Sequence, residues 1–584
     1  MCGIAGYYGK GNATEIAFKC LKNLEYRGYD SFGACLKTEN GLFLFKKVGK
    51  ISQFKDESLL PACNVAIMHS RWATHGHVSE KNAHPHTDCN DDIAVVHNGI
   101  IDNYEDLKKN LLSLGHKFRS DTDTEVIPHL VEEFNKNMDY DNAVFNALRM
   151  LKGSYAILIL SKKEKNLYAA RNGSPFVIGV SPDATYIASD IPAFLEFTNE
   201  VIYMNDGEIA RIGEGILFYD ISGKEIKKEV EVSDLSPESA MLNGFEHFML
   251  KEICEQGDCI ARSSNINENS LLAGASIIKS SKRIFLIACG TAYHASLLGQ
   301  KFFSEYSGRI PLVILASEFD GVSKNINEHD CIIAVSQSGE TADVISAVKN
   351  AKSKNAKIIA IVNTQGSSLC REAGVIIPIN AGIEIAVAST KAFLCQVAAL
   401  LLLASTLSDN QNLIRIKLKS LSNEINSFLE NSLNEKIIDL IGKINTGHIL
   451  IIGRNNCFPI ALEGALKIKE VSNLIAEGYA GGELKHGPLA LVENNTACIV
   501  ICDDETKNDV LNNAMEIKAR GGYIIGISPF ESNVFDSHLP IPSVGKEEFL
   551  FSAIALQLIA YELGKANNRD IDHCRNLAKS VTVK

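Results

Sequence analysis

The sequence has 584 residues, well beyond the about 250–300 residues at which a single hydrophobic core stops growing, so several domains are expected. Hydrophobic residues make up 46% of the chain and charged residues 22%, which excludes a globally disordered or a fibrous protein. The formal net charge is -12 and the basic residues are scattered, so we expect no nucleic-acid partner.

The cysteines and the apolar runs indicate a cytoplasmic protein. The 15 cysteines are dispersed, odd in number and never spaced as C-x-x-C, which favours a reducing compartment and argues against structural zinc. The N-terminus has neither the basic nor the long apolar segment of a secretion signal. The most apolar run, Ala392–Leu407, contains Gln396 and is shorter than the ~20 residues of a membrane span. It predicts a buried helix rather than a membrane anchor.

Residues 1–238 predict an α+β domain with mostly antiparallel strands. Short apolar stretches alternate with Gly- and Asn-containing turns, for example at Val65–Met68, Ile93–Val96 and Tyr155–Leu160. The polar stretch Ser233–Ser239, which contains Pro237, is typical of a linker.

Cys2 is a candidate nucleophile. If the initiator Met is removed, Cys2 carries the terminal amine, whose pKa of about 7.7–8.0 lets it take the thiol proton directly or through water. Nucleophile and base would then belong to one residue. The alternative is an ordinary buried cysteine.

Five short motifs in this region resemble the class II glutamine amidotransferases, a family of N-terminal-nucleophile enzymes. The resemblance covers the whole first domain and implies the fold and the glutamine-hydrolysing activity of that family. The motifs are Cys2–Gly6, Glu25–Ser31, His69–Gly76, His97–Asn103 and Asp121–Glu125.

Hydrolysis of a carboxamide needs two donors for the developing oxyanion. An Asn-Gly turn at Asn98 and Gly99 would supply a side-chain amide and an unhindered backbone N–H, although such a dipeptide is often only a turn. The resemblance implies that Arg71 binds the α-carboxylate of glutamine, that Asp123 binds its α-ammonium group, and that Trp72 gates an ammonia passage. The alternatives are a solvated Arg and a core Trp. The residues that the resemblance assigns to glutamine are Arg71, Trp72, Thr74, His75 and Asp123.

Six histidines between residues 69 and 97 raise the question of a metal site. They show no H-x-x-x-H pair with a nearby carboxylate, so we predict no metal and expect these side chains to pack and hydrogen-bond in loops. The histidines are His69, His75, His77, His84, His86 and His97.

The rest of the chain repeats itself. Three apolar segments recur in the same order at an offset of roughly 165 residues, which indicates a duplicated domain. Strands alternating with helical stretches predict two α/β domains with doubly wound parallel sheets, over residues 239–420 and 421–569, followed by a tail at 570–584. The matching segments are residues 282–290 with 447–453, 331–341 with 496–506, and 356–362 with 522–527.

The loop Ser336–Thr341 follows one of these predicted strands and precedes a helix, so its hydroxyls, amide and backbone N–H groups should converge where the helix dipole is positive. This favours a monophosphate site, although simple N-capping is the alternative. With the duplication, the loop resembles the sugar isomerase (SIS) family of phosphosugar-binding domains. The second copy has Cys502–Thr506 at this place, whose carboxylates would repel a phosphate. The predicted donors are Ser336, Gln337, Ser338 and Thr341.

The combination of a glutaminase domain and two SIS domains is similar, from end to end, to the isomerising glutamine:fructose-6-phosphate aminotransferases. Further motifs that carry this resemblance are Ala288–Thr291, Val387–Lys391, Glu463–Glu470, Gly482–Pro488 and Arg575–Val583. The resemblance implies L-glutamine and fructose 6-phosphate as substrates, glucosamine 6-phosphate and glutamate as products, and no cofactor.

The resemblance also assigns the chemistry of the sugar. His486 would open the ring, Lys579 would form a Schiff base with the open ketose, and Glu470 would move the proton between C1 and C2. Because His486 is expected to complete the sugar site of the neighbouring subunit, a homodimer is implied. The remaining residues assigned to the sugar phosphate are Thr291, Val387, Lys467 and Ala578.

Two other functions and several departures from the family pattern stay open. A different class II amidotransferase would need a phosphoribosyl-pyrophosphate or ATP-pyrophosphatase signature, which the sequence lacks. A phosphosugar-binding regulator would need neither Cys2 nor Lys579. Ala292 replaces a usual Ser, which would cost the phosphate site a hydrogen bond of ~1 kcal/mol. His573, Cys574 and Lys584 also depart from the family pattern and leave the rigidity of the tail open.

Overall fold

The computed structural model describes residues 2–57, 60–72, 76–233, 235, 241–430, 433–444 and 447–582. The chain forms two compact units, residues 1–241 together with 578–584, and residues 242–577. The first division lies close to the predicted limit at residue 238, and residues 234 and 236–239 of the predicted linker lie outside the described residues. The predicted limit at residue 420 falls within a helix that spans Gln411–Glu430.

The first unit contains an eight-stranded sheet, here called sheet A, in the order β15-β11-β9-β10-β1-β4-β2-β3. Its strand pairs are antiparallel, as expected from the alternating apolar pattern. The strands are β1 Gly3–Gly9, β2 Ser31–Thr38, β3 Gly41–Val48, β4 Val65–Arg71, β9 Val177–Ser181, β10 Ala184–Ala188, β11 Glu200–Tyr203 and β15 Glu231–Val232.

A second, seven-stranded antiparallel sheet, sheet B, has the order β14-β13-β12-β8-β7-β6-β5. Ile4 and Ile67 of sheet A share a core with Val96 and Leu158 of sheet B, so the two sheets pack face to face. The strands of sheet B are β5 His86–Thr87, β6 Ile93–Ile101, β7 Gly153–Ser161, β8 Leu167–Asn172, β12 Glu208–Ile212, β13 Ile216–Asp220 and β14 Glu225–Ile226.

Helices cover the outer faces of both sheets. Helix α1 (Ala13–Lys22) contacts β1 and β4, and a separate core joins sheet B to α2 (Tyr104–Ser113), α3 (Val126–Asn135) and α4 (Tyr140–Met150). The four layers, helix, sheet, sheet and helices, confirm the predicted α+β architecture.

The second unit contains two five-stranded parallel sheets with equivalent strand orders, β17-β16-β18-β19-β20 and β22-β21-β23-β24-β25. The predicted duplication is therefore confirmed. The strands are β16 Arg283–Ala288, β17 Leu312–Leu315, β18 Asp330–Ser336, β19 Lys357–Val362, β20 Val375–Pro378, β21 His448–Gly453, β22 Ile475–Ala480, β23 Ala497–Ile501, β24 Tyr523–Ser528 and β25 Ser537–Pro540.

Helices pack against the sheets of the second unit, and one large core joins its two halves. In each half, parallel strands alternate with helices, the pattern of a doubly wound fold. The helices are α5 Phe248–Cys254, α6 Gln256–Ser263, α7 Glu268–Ser280, α8 Gly290–Ser307, α9 Asp320–Ser323, α10 Ala342–Lys352, α11 Ser368–Glu372, α12 Lys391–Thr406, α13 Gln411–Glu430, α14 Leu433–Lys443, α15 Cys457–Ser472, α16 Lys507–Lys518 and α17 Glu548–Ala566.

The most apolar helices are core elements. Every residue of α12 is buried, which confirms the expectation for the run that begins at Ala392. Among the described residues, α17 alone is long and apolar enough to cross a membrane, but 83% of its apolar window is buried inside the protein. It packs against α15 in the second half of the unit.

Candidate active site

The first candidate site forms around Cys2, at the start of the central strand of sheet A. Strand β1 pairs with β4 in the register Gly3 to Ser70, which brings Cys2 beside the end of β4. The backbone N–H of Trp72 donates to Cys2 Sγ at 3.3 Å, and the thiol lies 3.5 Å from the carbonyl oxygen of Trp72. The sheet register thus fixes the position of the sulfur.

The thiol of Cys2 is held in its neutral form. Burial raises its pKa, and the opposing effects of the Trp72 N–H and the positive charge of Arg71 are smaller. A thiol of this kind needs a base to become a nucleophile. The free terminal amine expected after removal of the initiator Met is a base of suitable pKa.

Asn98 points its side-chain amide at Cys2. Its Nδ2 donates to the carbonyl oxygen of Cys2 at 2.8 Å and to the Ser189 hydroxyl at 2.9 Å. His69 Nε2 lies 3.0 Å from Asn98 Oδ1 and 3.0 Å from the carbonyl oxygen of His97. Because a carbonyl oxygen only accepts, Nε2 of His69 carries the hydrogen, and this fixes which end of the amide faces Cys2.

His69 is neutral in this arrangement. It is fully buried, and burial lowers its pKa to about 3. Its ring stacks on His84 with centroids 4.1 Å apart, and His84 Nδ1 accepts the backbone N–H of His97. His86 lies 3.0 Å from the Thr122 hydroxyl. These contacts are the packing and hydrogen bonding that we expected for the histidines of this region; His75 lies outside the described residues.

Asn98 and Gly99 do not form the expected turn. Both lie within β6, where Gly99 pairs with Tyr155 of β7. Gly99 has φ +125°, and a Cβ on it would lie 1.9 Å from the carbonyl oxygen of Ser154. The close approach of β7 and the positive φ, rather than turn geometry, therefore account for the glycine.

Arg71 interacts electrostatically with both Cys2 and Asp123. Burial lowers the pKa of Arg71, whereas the charges of Asp30 and Asp123 raise it. Asp123 is 5% exposed, and its Oδ2 accepts the backbone N–H of Ile101 at 2.8 Å. Two opposite charges that interact with each other in this way are suited to the two charged ends of an amino acid.

The remaining residues assigned to glutamine are only partly described. Trp72 is half-buried and contacts Cys2 through its backbone. Thr74 and His75 lie outside the described residues. Their roles stay predictions.

The motif at Glu25–Ser31 packs against the end of β4, next to Cys2. A Cβ on Gly28 would lie 2.8 Å from the carbonyl oxygen of Ser70, and the N–H of Asp30 donates to the carbonyl oxygen of Arg71 at 2.9 Å. Arg27 pairs with Asp190 at 2.6 Å. Asp30, Ser189 and Asp190 were not predicted as site residues, since no local spacing links them to Cys2.

The second candidate site lies at the carboxyl end of β18, in the first parallel sheet. The N–H of Gly339 donates to Ser336 Oγ at 3.0 Å, and the N–H of Glu340 donates to Ser338 Oγ at 3.1 Å. The hydroxyls of Ser336 and Thr341 lie 3.3 Å apart at the start of α10. The loop brings its hydroxyl groups and the N-terminus of α10 together, as a phosphate site requires.

The equivalent loop of the second copy is filled by its own carboxylate. Asp503 Oδ1 accepts the N–H of Thr506 at 2.8 Å and its hydroxyl at 2.5 Å, and Oδ2 accepts the Cys457 thiol at 3.4 Å. An anion therefore already occupies the donors that precede α16. This supports a single phosphate site in each chain.

An ionic network joins α8 to α15. Lys467 Nζ lies 2.5 Å from Glu470, 3.5 Å from Glu463 and 3.1 Å from the Thr291 hydroxyl. Burial alone would lower the pKa of Lys467, but the two carboxylates hold it above its usual value. Glu463 also accepts from Thr291 and lies 2.7 Å from His294 Nδ1. Glu463 and His294 are members of this network that the sequence motifs did not assign.

The other residues assigned to the sugar lie in different surroundings. Val387 is 8% exposed, and its N–H donates to the carbonyl oxygen of Asp572. His486 ends a short 3-10 helix, Gly481–His486, and is exposed. Ala578 and Lys579 belong to the tail segment of the first unit and are half-buried.

Two of the residues that depart from the family pattern are buried. Cys574 is 1% exposed and belongs to the core of the second unit, whereas Ala292 is buried on α8. Lys584 lies outside the described residues.

The sequence matches two known domain families. Residues 69–196 match the glutamine amidotransferase domain, and residues 277–406 and 444–563 match the SIS domain. Over its whole length the chain is 40% identical to the isomerizing glutamine–fructose-6-phosphate aminotransferases of Bacteroides thetaiotaomicron and Methanothermobacter thermautotrophicus, and it covers 100% of both proteins. The chain belongs to this family.

A solved structure of one family member agrees with the second unit. The C-terminal domain of glucosamine-fructose-6-phosphate aminotransferase from Francisella tularensis is 31% identical, with a TM-score of 0.51, over 57% of this chain and 99% of that structure. The family resemblance and the predicted order of domains, a glutaminase followed by two SIS domains, are therefore confirmed. Membership of this family also favours an aminotransferase over the two alternatives, a phosphosugar regulator and another class of amidotransferase.

Proposed function

We propose that the protein transfers the amide nitrogen of L-glutamine to fructose 6-phosphate and isomerises the product, giving glucosamine 6-phosphate and glutamate. One observation carries the proposal. A single chain of this family holds both a half-buried thiol flanked by Asn98 and Arg71 and a loop, Ser336–Thr341, with the donors of a phosphate site.

The glutaminase half begins with attack of the Cys2 sulfur on the carboxamide carbon of glutamine. The proton of the thiol passes to the terminal amine, and the carboxamide oxygen becomes an oxyanion that Asn98 Nδ2 and the N–H of Gly99 stabilise. Collapse of this intermediate releases ammonia and leaves a thioester, which water hydrolyses to glutamate. Arg71 and Asp123 bind the α-carboxylate and the α-ammonium group.

The sugar half begins with phosphate bound by Ser336–Thr341 and with the ring opened by His486. Lys579 adds to the C2 ketone and loses water to form a Schiff base, which ammonia then displaces. Glu470 takes a proton from C1 and returns one to C2, so that a ketose derivative becomes a 2-amino aldose. Glu470 Oε2 lies 2.5 Å from Lys467 Nζ, which places this carboxylate beside a cation.

Two further features belong to the proposal. His486 is exposed, so it is accessible to a second subunit. This supports the proposal that His486 completes the sugar site of that subunit in a homodimer. All fifteen cysteines are free thiols, which supports a cytoplasmic location.

The coupled assay tests this function. The full chain is given glutamine labelled with nitrogen-15 in its amide together with fructose 6-phosphate, and the products are identified by mass spectrometry. We expect labelled glucosamine 6-phosphate and glutamate in equal amounts. Formation of glutamate without amino sugar would reject the synthase function. Release of labelled ammonia, together with synthesis of amino sugar that does not depend on glutamine, would reject the transfer of nitrogen from glutamine.

A further inference from the structure

Four side chains that can bind metal converge in the first unit, away from Cys2. Cys89 lies in the loop between β5 and β6, His116 follows α2, and His129 and Glu132 lie on α3. Their ligand atoms all lie within 4.8 Å of one another. None of these residues belongs to the motifs that carry the glutaminase chemistry.

The distances agree with a tetrahedral zinc site. Cys89 Sγ lies 3.6 Å from His116 Nδ1 and 3.7 Å from His129 Nδ1, and Glu132 Oε2 lies 3.0 Å and 3.2 Å from the same two nitrogens. Around zinc, with Zn–S of about 2.3 Å and Zn–N and Zn–O of about 2.0–2.1 Å, tetrahedral angles place sulfur and nitrogen about 3.6 Å apart and nitrogen and oxygen about 3.4 Å apart. The two Nδ1 atoms, the sulfur and the carboxylate oxygen thus surround a common centre.

The far nitrogens of both imidazoles face other carboxylates. His116 Nε2 lies 2.8 Å from Glu133 Oε2, and His129 Nε2 lies 3.7 Å from Glu125 Oε1. A neutral imidazole has one hydrogen and cannot donate to carboxylates on both sides. For His116, a metal at Nδ1 and a hydrogen at Nε2 satisfy both sides of the ring, and a carboxylate behind a histidine is the usual support of a zinc ligand.

Cys89 has the surroundings of a metal-bound thiolate. The N–H of Lys117 points at its Sγ at 3.5 Å, and its own N–H donates to Glu132 Oε2 at 3.2 Å. The side chains of His116 and His129 are 2% and 0% exposed, so water does not satisfy their nitrogens. Within the described part of the chain, Nε2 of His129 is a buried nitrogen without a hydrogen-bond partner.

We propose that Cys89, His116, His129 and Glu132 bind one Zn²⁺ in each chain. Thiolate, imidazole and carboxylate ligands in tetrahedral array select zinc among the common divalent ions, and four protein ligands make the site structural. The ion ties the loop before β6 to α3 and to the segment between α2 and α3. Asp123 lies in that segment and Asn98 lies in β6, so the ion stabilises the scaffold of the glutaminase site without joining its chemistry.

Metal analysis of the full chain tests the site. The protein is equilibrated with Zn²⁺, dialysed against metal-free buffer and analysed by plasma mass spectrometry. We expect about one zinc per chain in the wild type and in the matched control Cys63→Ser, and less than about a tenth of that in Cys89→Ser and in His129→Gln. Glu133→Gln, which removes only the support of His116, should weaken zinc binding about 10- to 100-fold.

Cobalt provides a test that needs no variant. Co²⁺ added to the metal-free wild-type chain should produce the intense visible bands of tetrahedral cobalt and a thiolate-to-cobalt charge-transfer band, both abolished by one equivalent of Zn²⁺. A wild-type chain that retains no zinc and gives no such bands would overturn the proposal. Retention of zinc by both Cys89→Ser and His129→Gln would overturn it as well.

Discussion

His69 and Asn98 act as a pair, with His69 Nε2 3.0 Å from Asn98 Oδ1 and the amide nitrogen of Asn98 directed at Cys2. The buried imidazole determines which end of the amide faces the nucleophile. An Asn side chain without this partner could turn its oxygen toward the developing oxyanion and repel it.

We expect His69→Ala to lower kcat for glutamine hydrolysis by at least about tenfold. The decrease should not exceed about 10²–10³-fold, which is the effect of removing an oxyanion donor altogether. KM for glutamine should change little, because Arg71 and Asp123 are intact. His69→Gln, whose amide can still donate to Asn98, should recover part of the rate. Steady-state kinetics of the three proteins test this, and an equal loss in both variants would contradict an orienting role.

The buried histidines should make the first unit sensitive to acid. Burial lowers the pKa of His69 to about 3 and that of His84 and His86 below the ordinary value. Below about pH 6.5 the unfolded chain therefore binds more protons than the folded one, and stability falls as the pH falls toward the depressed values.

The melting temperature of the first unit should accordingly decrease between about pH 7.5 and pH 5. The decrease should be smaller in His69→Gln and unchanged in the control His77→Gln, because His77 is exposed. Calorimetry across this range gives the answer. The same decrease in His69→Gln as in the wild type would show that His69 does not contribute.

Gly99→Ala should destabilise the first unit and abolish glutaminase activity. The added Cβ would lie 1.9 Å from the carbonyl oxygen of Ser154 at φ +125°, and the strain of positive φ alone costs about 1–3 kcal/mol. Gly115→Ala is the matched control, since Gly115 has φ +93° but nothing within 4 Å of its Cβ position. Urea unfolding should show a larger loss for Gly99→Ala, and equal losses would mean that the close approach of β7 is not decisive.

Lys467→Met should cost about 3–5 kcal/mol of unfolding free energy, because it leaves the buried Glu463 and the half-buried Glu470 without this lysine. Part of this loss should return in the double variant with Glu463→Gln. Synthesis of amino sugar should disappear while glutaminase activity persists. Denaturant unfolding and the two assays test this, and a single variant as stable as the wild type would show that the network is not strongly coupled.

Cys2→Ala and Lys579→Ala should separate the two half-reactions. Cys2→Ala should lose glutamine use and retain isomerisation of the sugar phosphate, whereas Lys579→Ala should retain some glutaminase activity and make no amino sugar. Cys63→Ala is the control for loss of a thiol. Glutamine-dependent synthesis by Cys2→Ala would refute the nucleophile, and undiminished synthesis by Lys579→Ala would refute the Schiff base.

The sequence was most informative where chemistry or periodicity is local. Apolar runs such as Ala356–Val362 predicted parallel strands, and their recurrence predicted the two SIS domains. Cys2, Asn98 and Arg71 were found because each lies in a short motif. The position of Asn98 and Gly99 within a strand was not predicted, because Asn-Gly is a turn signal unless the neighbouring strand is known.

Contacts between segments that are distant in the sequence could not be predicted from local patterns. Ser189 reaches Asn98 through the pairing of β1 with β10, and Glu463 meets His294 through the packing of α15 on α8. Cys89 and His129 come from different elements, so their spacing fits no short metal motif. In each case the fold, and not the local pattern, brings the side chains together.

In the second SIS copy, the carboxylate of Asp503 lies where the first copy has its proposed phosphate site. This carboxylate accepts the backbone N–H and the hydroxyl of Thr506, in the loop that corresponds to the proposed phosphate loop Ser336–Thr341 of the first copy. Gene duplication would ordinarily give two equivalent pockets that compete for one metabolite. We propose instead that the second copy, whose loop contains Asp503, contributes Glu470 and Lys467 of α15 to the reaction.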